Sequence, residues 1–391
     1  MRRFSAQFIF TNSGPPLKRA VISTEEDGTI TGIEENAGLL RESQSVEFHN
    51  GIIVPGFVNS HCHLELAHLK GMIPEGTGLS SFIMHVRNSR GINPDEDLYP
   101  ARKSDKLMSD EGIVLCADIC NTPLAFEIKK KSRIKYINLL EVFGIDPAKA
   151  LKRIEDITEL EIHAKETGLL YSVVPHSVYS VSLPLLKLLK KKTERNNVTS
   201  VHFMETGTEA VFLSGHSGPL RKSYEDSGLL PENIQFPADH VSAILDEMTL
   251  SGNLILVHNT FADSKIVREI LKRGKTYWCI CPGSNMYIEK KLPPVEMMMS
   301  EGCEIIVGTD SPASNNTLSI LSELKLITRY FPSVSLEEMI RWATINGARA
   351  LNEDHNFGKI ASGKKPGLVL LENLDLVNLK FLPETSARRL I

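Results

Sequence analysis

Eight short apolar runs, separated by longer stretches in which Leu, Ile and Met recur every three or four residues, constrain this chain more than any other feature it carries. The runs are Gly56 to Ser60, Ile113 to Asp118, Lys135 to Val142, Leu169 to Pro175, Thr199 to Glu205, Leu254 to His258, Thr276 to Cys281 and Glu304 to Thr309. Each is short enough to be a strand buried on both faces. Between them the spacing predicts helices, among them Ala148 to Thr167, Leu183 to Arg195, Ala238 to Ser251, Asp263 to Arg273 and Thr317 to Tyr330, with Asp263 and Thr317 as N-caps. An alternation repeated eight times between Pro55 and about Asn356 has the length of a (β/α)8 TIM barrel, roughly 250 residues upward. An open, doubly wound sheet is the competing arrangement.

The segments outside that span are written differently. Phe4 to Phe10, Ala20 to Thr24, Thr29 to Ile33 after an Asp27-Gly28 turn, Val46 to Phe48 and Ile52 to Val54 carry strand signals. After the Gly363-Lys364-Lys365-Pro366-Gly367 turn, Gly367 to Leu371 and Val377 to Phe381 do so again. The α/β fold expected is thus a barrel over 55–356 with a small composite β-sheet domain supplied by both termini, 1–54 and 357–391.

The 44 basic residues are outnumbered by 48 acidic ones, for a formal charge of −4, and no run of five Lys or Arg stands clear of acids. Nucleic acid and membrane surfaces are therefore not expected as partners; a small-molecule substrate is, with a homodimer as the open oligomeric option. Neither Cys116/Cys120 nor Cys279/Cys281 has C-x-x-C spacing, so the six cysteines read as reduced, mostly buried thiols. The short apolar stretch after Met1-Arg2-Arg3-Phe4 is no leader, and no run of eighteen apolar residues follows, so a cytoplasmic location is expected.

Chemistry in a barrel of this kind is assembled at the C-terminal ends of the strands. His61 and His63 follow the first run at i, i+2, His176 follows the fourth, His202 and Glu205 end the fifth, His258 ends the sixth and Asp310 ends the eighth. Each alone has an ordinary structural explanation, since H-x-H is a common accident and Asp310 in Gly308-Thr309-Asp310-Ser311 can cap a turn. Their convergence on separate strand ends does not. Imidazoles with one carboxylate suit a divalent ion that acidifies water, and a neighbouring carboxylate and imidazole, Glu205 and His258, suit proton transfer. The other histidines, His49, His68, His85, His163, His216, His240 and His355, read as solvated, with His85 and Arg87 held open as substrate contacts. His63-Leu64-Glu65 starts the signature of cytidine-type zinc deaminases, but Cys279-Ile280-Cys281-Pro282 does not complete it, and H-E-x-x-H, G-x-S-x-G and Walker patterns are absent.

Pro55-Gly56-Phe57-Val58-Asn59-Ser60-His61-Cys62-His63-Leu64-Glu65 resembles the opening motif of the amidohydrolase superfamily, in the branch of guanine, S-adenosylhomocysteine and aminodeoxyfutalosine deaminases and triazine chlorohydrolases. Pro175-His176-Ser177, His202-Phe203-Met204-Glu205-Thr206, Leu256-Val257-His258, Cys281-Pro282-Gly283-Ser284-Asn285 and Gly308-Thr309-Asp310-Ser311 with Ser314-Asn315-Asn316 are similar to its later segments, in order. Gly358 to Val369 resembles its C-terminal β segment, although Gly367 stands where that family usually carries an acidic residue. The resemblance implies that His61, His63, His202 and Asp310 bind one divalent metal, zinc first, with iron and manganese as alternatives. It implies that Glu205 moves the proton, His258 orients the water, Asp310 also accepts a proton, and His176, Glu65 and Asn285 contact substrate. Leu169 to Pro175 has no lysine to carbamylate, which implies a mononuclear site, and the Glu75 to Asn93 loop matches no subfamily closely. The implied reaction is deamination of an aromatic heterocycle with an exocyclic amine. Aminodeoxyfutalosine leads as substrate, before S-adenosylhomocysteine, adenosine and guanine. A chlorohydrolase or amide hydrolase using the same site is the alternative. A non-enzymatic scaffold is the remote one, expected to lack ligands that this chain retains.

Overall fold

The computed structural model describes residues 1–35, 45–89, 98–215, 217–231, 234 and 252–391. Both terminal segments enter one sheet. Strands β1 (Arg2–Ile9), β2 (Leu17–Lys18), β3 (Val21–Thr24), β4 (Ile30–Glu34) and β5 (Val46–Pro55) come from the N-terminal side. Strands β6 (Phe57–Cys62), β7 (Ile113–Cys120), β8 (Lys135–Val142), β9 (Tyr171–Pro175), β10 (Val198–Phe203), β11 (Asn253–His258), β12 (Thr276–Ile280) and β13 (Glu304–Val307) form the barrel. The C-terminal strands β14 (Leu368–Glu372) and β15 (Ser386–Arg389) return to the first sheet, whose order is β15-β14-β5-β1-β3-β4 with β2 on β1. Phe4, Ile22, Ile53, Leu368 and Leu370 are buried in one cluster that ties the two ends of the chain together.

The eight barrel strands run parallel in two four-stranded arcs, β6-β7-β8-β9 and β10-β11-β12-β13. Single parallel bridges, Cys62 with Asp310 and Ser177 with His202, join the arcs. The arcs therefore meet beside the expected site residues: Thr309 and Asp310 both donate their N–H to His61 O at 3.0 Å, and His202 N–H donates to His176 O at 2.8 Å. Alternation along the strands divides the core. Ile137, Leu139, Ile255, Val257, Tyr277, Cys279 and Ile306 pack together inside the barrel, and Ala348, Ala350 and Leu351 close its floor. Leu254, Leu256, Trp278, Ile280, Ile305 and Val307 pack outward against the helices.

Expectation and structure differ at the edges of elements. The helix of the last repeat is Ile320–Tyr330, capped by Ser319 Oγ accepting from Ser322 N–H rather than by Thr317. The reason is local: Thr317 N–H donates at 3.4 Å to the Asn315 side chain, a turn that holds this segment out of the helix. Val377 to Phe381 is not a strand, because the Asp375 carboxylate accepts from Val377 N–H and Asn378 N–H, both at 2.9 Å, and bends the chain. The strand there is Ser386–Arg389, whose polar text concealed an edge strand. Asp263 caps Ser264–Leu271 as expected, and the Ala238 to Ser251 helix lies outside the described residues.

Leu368, Val369, Leu370 and Leu371 are fully buried, so β14 contributes on the order of 1.5–3 kcal/mol per side chain. That sum rivals the whole stability of a typical domain, about 5–15 kcal/mol. Deleting 357–391 should accordingly yield a protein that binds hydrophobic dyes and melts far below the full chain. A soluble, equally heat-stable truncation would contradict the pairing.

Candidate metal and active site

His61, His63, His202, His258, Glu205 and Asp310 are all buried, and their side chains converge at the barrel mouth. The backbone is shaped for this. Leu254, Leu256 and His258 share one parity on β11, which would turn His258 outward with the two leucines. His258 and Asn259 instead take positive φ, 79° and 56°, and the imidazole swings over the mouth. Asp310 (φ 57°) and Met204 (φ 50°) lie in the same left-handed region, so strained non-glycine residues gather at the functional end of the barrel.

The donor atoms are spaced as ligands are. His61 Nε2 and His63 Nε2 are 3.1 Å apart, and Asp310 Oδ1 stands 3.6 Å from the first and 3.4 Å from the second. Two imidazole nitrogens and a carboxylate oxygen at such separations outline part of a tetrahedron around a centre with bonds of about 2.0–2.2 Å. His61, His202 and His258 form an overlapping group, each offering one nitrogen within 4.8 Å of the others. His202 Nδ1 lies 2.8 Å from His176 O, so it carries the proton and leaves Nε2 as the free lone pair. These residues fit a divalent ion.

Burial keeps His63, His202 and His258 well below the usual histidine range, so their imidazoles are neutral. Burial would raise Asp310, but hydrogen bonding, with the His61 contact foremost, outweighs it and holds the carboxyl well below the ordinary carboxylate range. Asp310 Oδ2 accepts from Ser284 Oγ at 2.5 Å and Ser314 Oγ at 2.7 Å, which leaves Oδ1 for the imidazoles. Glu205 behaves oppositely. Burial, reinforced by Asp310, Glu209 and Glu289, lifts it well above the ordinary carboxylate range and favours its protonated form. Tyr179 OH donates to Glu205 Oε2 at 3.3 Å, and Oε1 lies 3.6 Å from His258 Nε2. Asn285 Nδ2 lies 3.3 Å from His258 Nδ1 and 2.7 Å from Thr260 Oγ1. With the amide donating, His258 carries its proton on Nε2, toward Glu205.

These groups line a cavity of about 420 Å³ whose rim includes His176, with Nδ1 2.8 Å from Ser180 Oγ. Phe82, Ile83, Val86, Tyr224 and Leu229 form an apolar wall, and Arg87, Glu141 and Arg153 a charged one. A neighbouring cavity of about 390 Å³ shares Leu66, Asn121, Glu141, Phe143 and Arg153 with it. Of the residues expected to contact substrate, His176 lines the main cavity and Asn285 lies beneath it, against His258. Glu65 lines the neighbouring cavity, accepting from the N–H groups of Asn121 at 2.9 Å and Thr122 at 3.1 Å. Arg87 reaches the main cavity, while His85 stays on its own helix with Nδ1 2.8 Å from Ser81 O.

Two histidines expected in solvent are not there. His49 stacks on Phe4, its pKa lowered by burial, and His68 is half-buried with Nδ1 3.1 Å from Glu65 O. His216 and His240 lie outside the described residues. Tyr179, Glu209 and Glu141 were not singled out from the sequence: Tyr179 and Glu209 lie beyond strand ends, and Glu141 lies inside β8, where an isolated Tyr or Glu gives little signal of its own. The cysteines agree with expectation: all six are free, five of them buried. Among the described residues no helix is long and apolar enough to cross a membrane.

The amidohydrolase family model matches residues 52–386. A 5-methylthioadenosine/S-adenosylhomocysteine deaminase of Pyrococcus furiosus is 25% identical, over 94% of this chain and 84% of its own. The aminofutalosine deaminase of Helicobacter pylori, in complex with methylthio-coformycin, superposes with a TM-score of 0.83 at 21% identity, covering 100% of both chains. A mutant atrazine chlorohydrolase of Arthrobacter aurescens, complexed with zinc and atraton, follows at TM-score 0.73 and 16% identity, covering 97% of this chain and 90% of its own.

Proposed function

The chain belongs to the amidohydrolase family, hydrolases acting on carbon–nitrogen bonds, and on that premise we propose that it deaminates a purine nucleoside. The observation that carries this reading is the placement of Glu205, a buried carboxyl whose Oε1 lies 3.6 Å from His258 Nε2 in the cavity that holds the imidazoles. An exocyclic amine leaves poorly until the ring and the departing nitrogen have received protons, so a resident acid is what deamination needs. Chloride loss needs no proton on the leaving group.

A divalent ion held by His61, His63, His202 and Asp310 would supply water acidified to near neutral pH, and we propose zinc because three imidazoles and a carboxylate are its ordinary donors. Glu205 protonates the ring nitrogen next to the amine-bearing carbon, Oε1 being the oxygen that Tyr179 leaves available. His258 donates from Nε2 to the attacking water. Asp310 accepts one proton from that water and returns it to the amine, which departs as ammonia, while the remaining hydroxyl proton passes back to Glu205 and the ring carbon is left with a carbonyl oxygen. His176 at the rim hydrogen-bonds a heteroatom of the ring or sugar and holds the flat base in place.

The adjoining cavities together offer far more room than a bicyclic base fills. Arg87 and Arg153 at the charged wall suit a long polar arm on the sugar. Aminodeoxyfutalosine and S-adenosylhomocysteine are therefore favoured over adenosine, and adenosine over guanine.

Zinc-loaded protein screened against these purines and a pterin should release ammonia from at least one nucleoside. His176→Ala should raise KM about tenfold or more and change kcat little. The deaminase reading is wrong if no ammonia appears from any of them while a chlorinated triazine or an amide is turned over.

A further inference from the structure

Glu323 lies outside the cavity that holds the imidazoles, on the first turn of the helix Ile320–Tyr330, and is only 1% exposed. An acid in a first turn is favourable in water without any partner. Burying one is not, and burial pushes this carboxyl up to about 8, so its place in the core calls for an explanation.

The explanation lies in what its two oxygens hold. Gly283 N–H donates to Oε2 at 2.6 Å, and Asn315 Nδ2 donates to Oε1 at 2.8 Å and to Thr309 O at 2.8 Å. One carboxyl thus fastens the first turn of the helix Pro282–Ile288, which follows β12, to the loop after β13. The contact is close enough to dictate glycine: a Cβ on Gly283 would come within 2.5 Å of Asn315 Nδ2 and 2.6 Å of Glu323 Oε1.

The neighbours of the fastened residues reach the site. Ser284 and Ser314, each next in sequence to a residue held by Glu323, supply the two hydroxyls on Asp310 Oδ2. Asn285 supplies the amide against His258 Nδ1. These partners decide which oxygen of Asp310 faces His61 and His63 and how the His258 ring is turned.

We propose that Glu323 is a positioning residue, which by clamping Gly283 to Asn315 fixes Asp310 for metal ligation and His258 for its contact with the reacting water. The proposal rests on the functional reading above. It concerns a residue that touches neither metal nor substrate.

The test compares wild type with Glu323→Ala, Glu323→Gln, Ser284→Ala and the double variant Glu323→Ala/Ser284→Ala. The readouts are zinc affinity of the metal-free protein by chelator competition, thermal melting, and kcat and KM for ammonia release. Glu323→Ala should weaken zinc binding and lower kcat by about 10–100-fold, the range typical of groups that hold metal ligands in place, with KM nearly unchanged. Glu323→Gln keeps an acceptor for Gly283 N–H but sets its own amide N–H against Asn315 Nδ2, so it should recover only part of both. The double variant should lose little beyond Glu323→Ala, because the two residues act along one path.

Unchanged zinc affinity in Glu323→Ala, or losses that multiply in the double variant, would overturn the proposal. If Glu323→Ala does not fold, the comparison of Glu323→Gln with Ser284→Ala and their combination decides by the same criterion. A wild type that binds zinc but releases no ammonia refutes the functional reading alone, and zinc affinity still decides the role of Glu323.

Discussion

Asp310→Ala and His61→Ala should each lose the bound divalent ion, and ammonia release should drop by about 10³-fold or more, as expected when one member of an interdependent catalytic set is removed. Asp310 serves two sides at once: Oδ1 stands 3.4 Å from His63 Nε2, while Oδ2 accepts from Ser284 and Ser314. Alanine leaves the neutral imidazoles with no anionic ligand to offset the charge of the cation. His61 is fully buried, and its alanine variant removes one of the closest pair of donor nitrogens. Elemental analysis and melting curves with and without zinc check the result, because an ion bound only by the folded chain raises Tm. Two ions per chain in the wild type, or full occupancy in both variants, would overturn the mononuclear assignment.

Glu205→Gln should leave the metal in place and still lower kcat by about 10²-fold or more. The amide keeps the shape of the side chain and can still accept from Tyr179 OH, but it has no transferable proton. The loss should fall on kcat rather than KM, and metal content should equal that of the wild type. Near-normal turnover by the metallated variant would remove Glu205 from the proton path.

These two expectations use residues that the sequence made visible, and the reason is geometric. A barrel strand ends where its polar residues begin, so the sequence alone places His61, His202 and Asp310 at the mouth. His258 is placed there too, by its position at a strand end, although periodicity along β11 would turn it outward with Leu256; the positive φ of its own backbone is what brings it in. Left-handed non-glycine residues leave no trace in composition or spacing. Tyr179, Glu209 and Glu323 were hidden for another reason: Tyr179 acts on the Glu205 side chain, Glu209 on the backbone N–H groups of Met204 and Glu205, and Glu323 on segments that topology brings together. The polar strand Ser386–Arg389 was missed because a sheet edge needs no apolar alternation. Val377 was misread because one Asp375 side chain outweighs the β propensity of the residues after it.

The sheet shared by the two ends of the chain has a consequence for how the protein is made. On the ribosome β5 emerges early and can take β1 as a parallel partner at once. Its other edge, Ile52 to Pro55, is reserved for β14, which is translated only after the entire barrel. At about 5–20 residues per second the wait is on the order of tens of seconds. Throughout it, an apolar strand edge with unpaired backbone groups stands open to any other nascent chain. Yield in a foreign host should therefore depend on how fast the barrel segment is translated and on the chaperones that cover β5 meanwhile, more than on the stability of the finished protein.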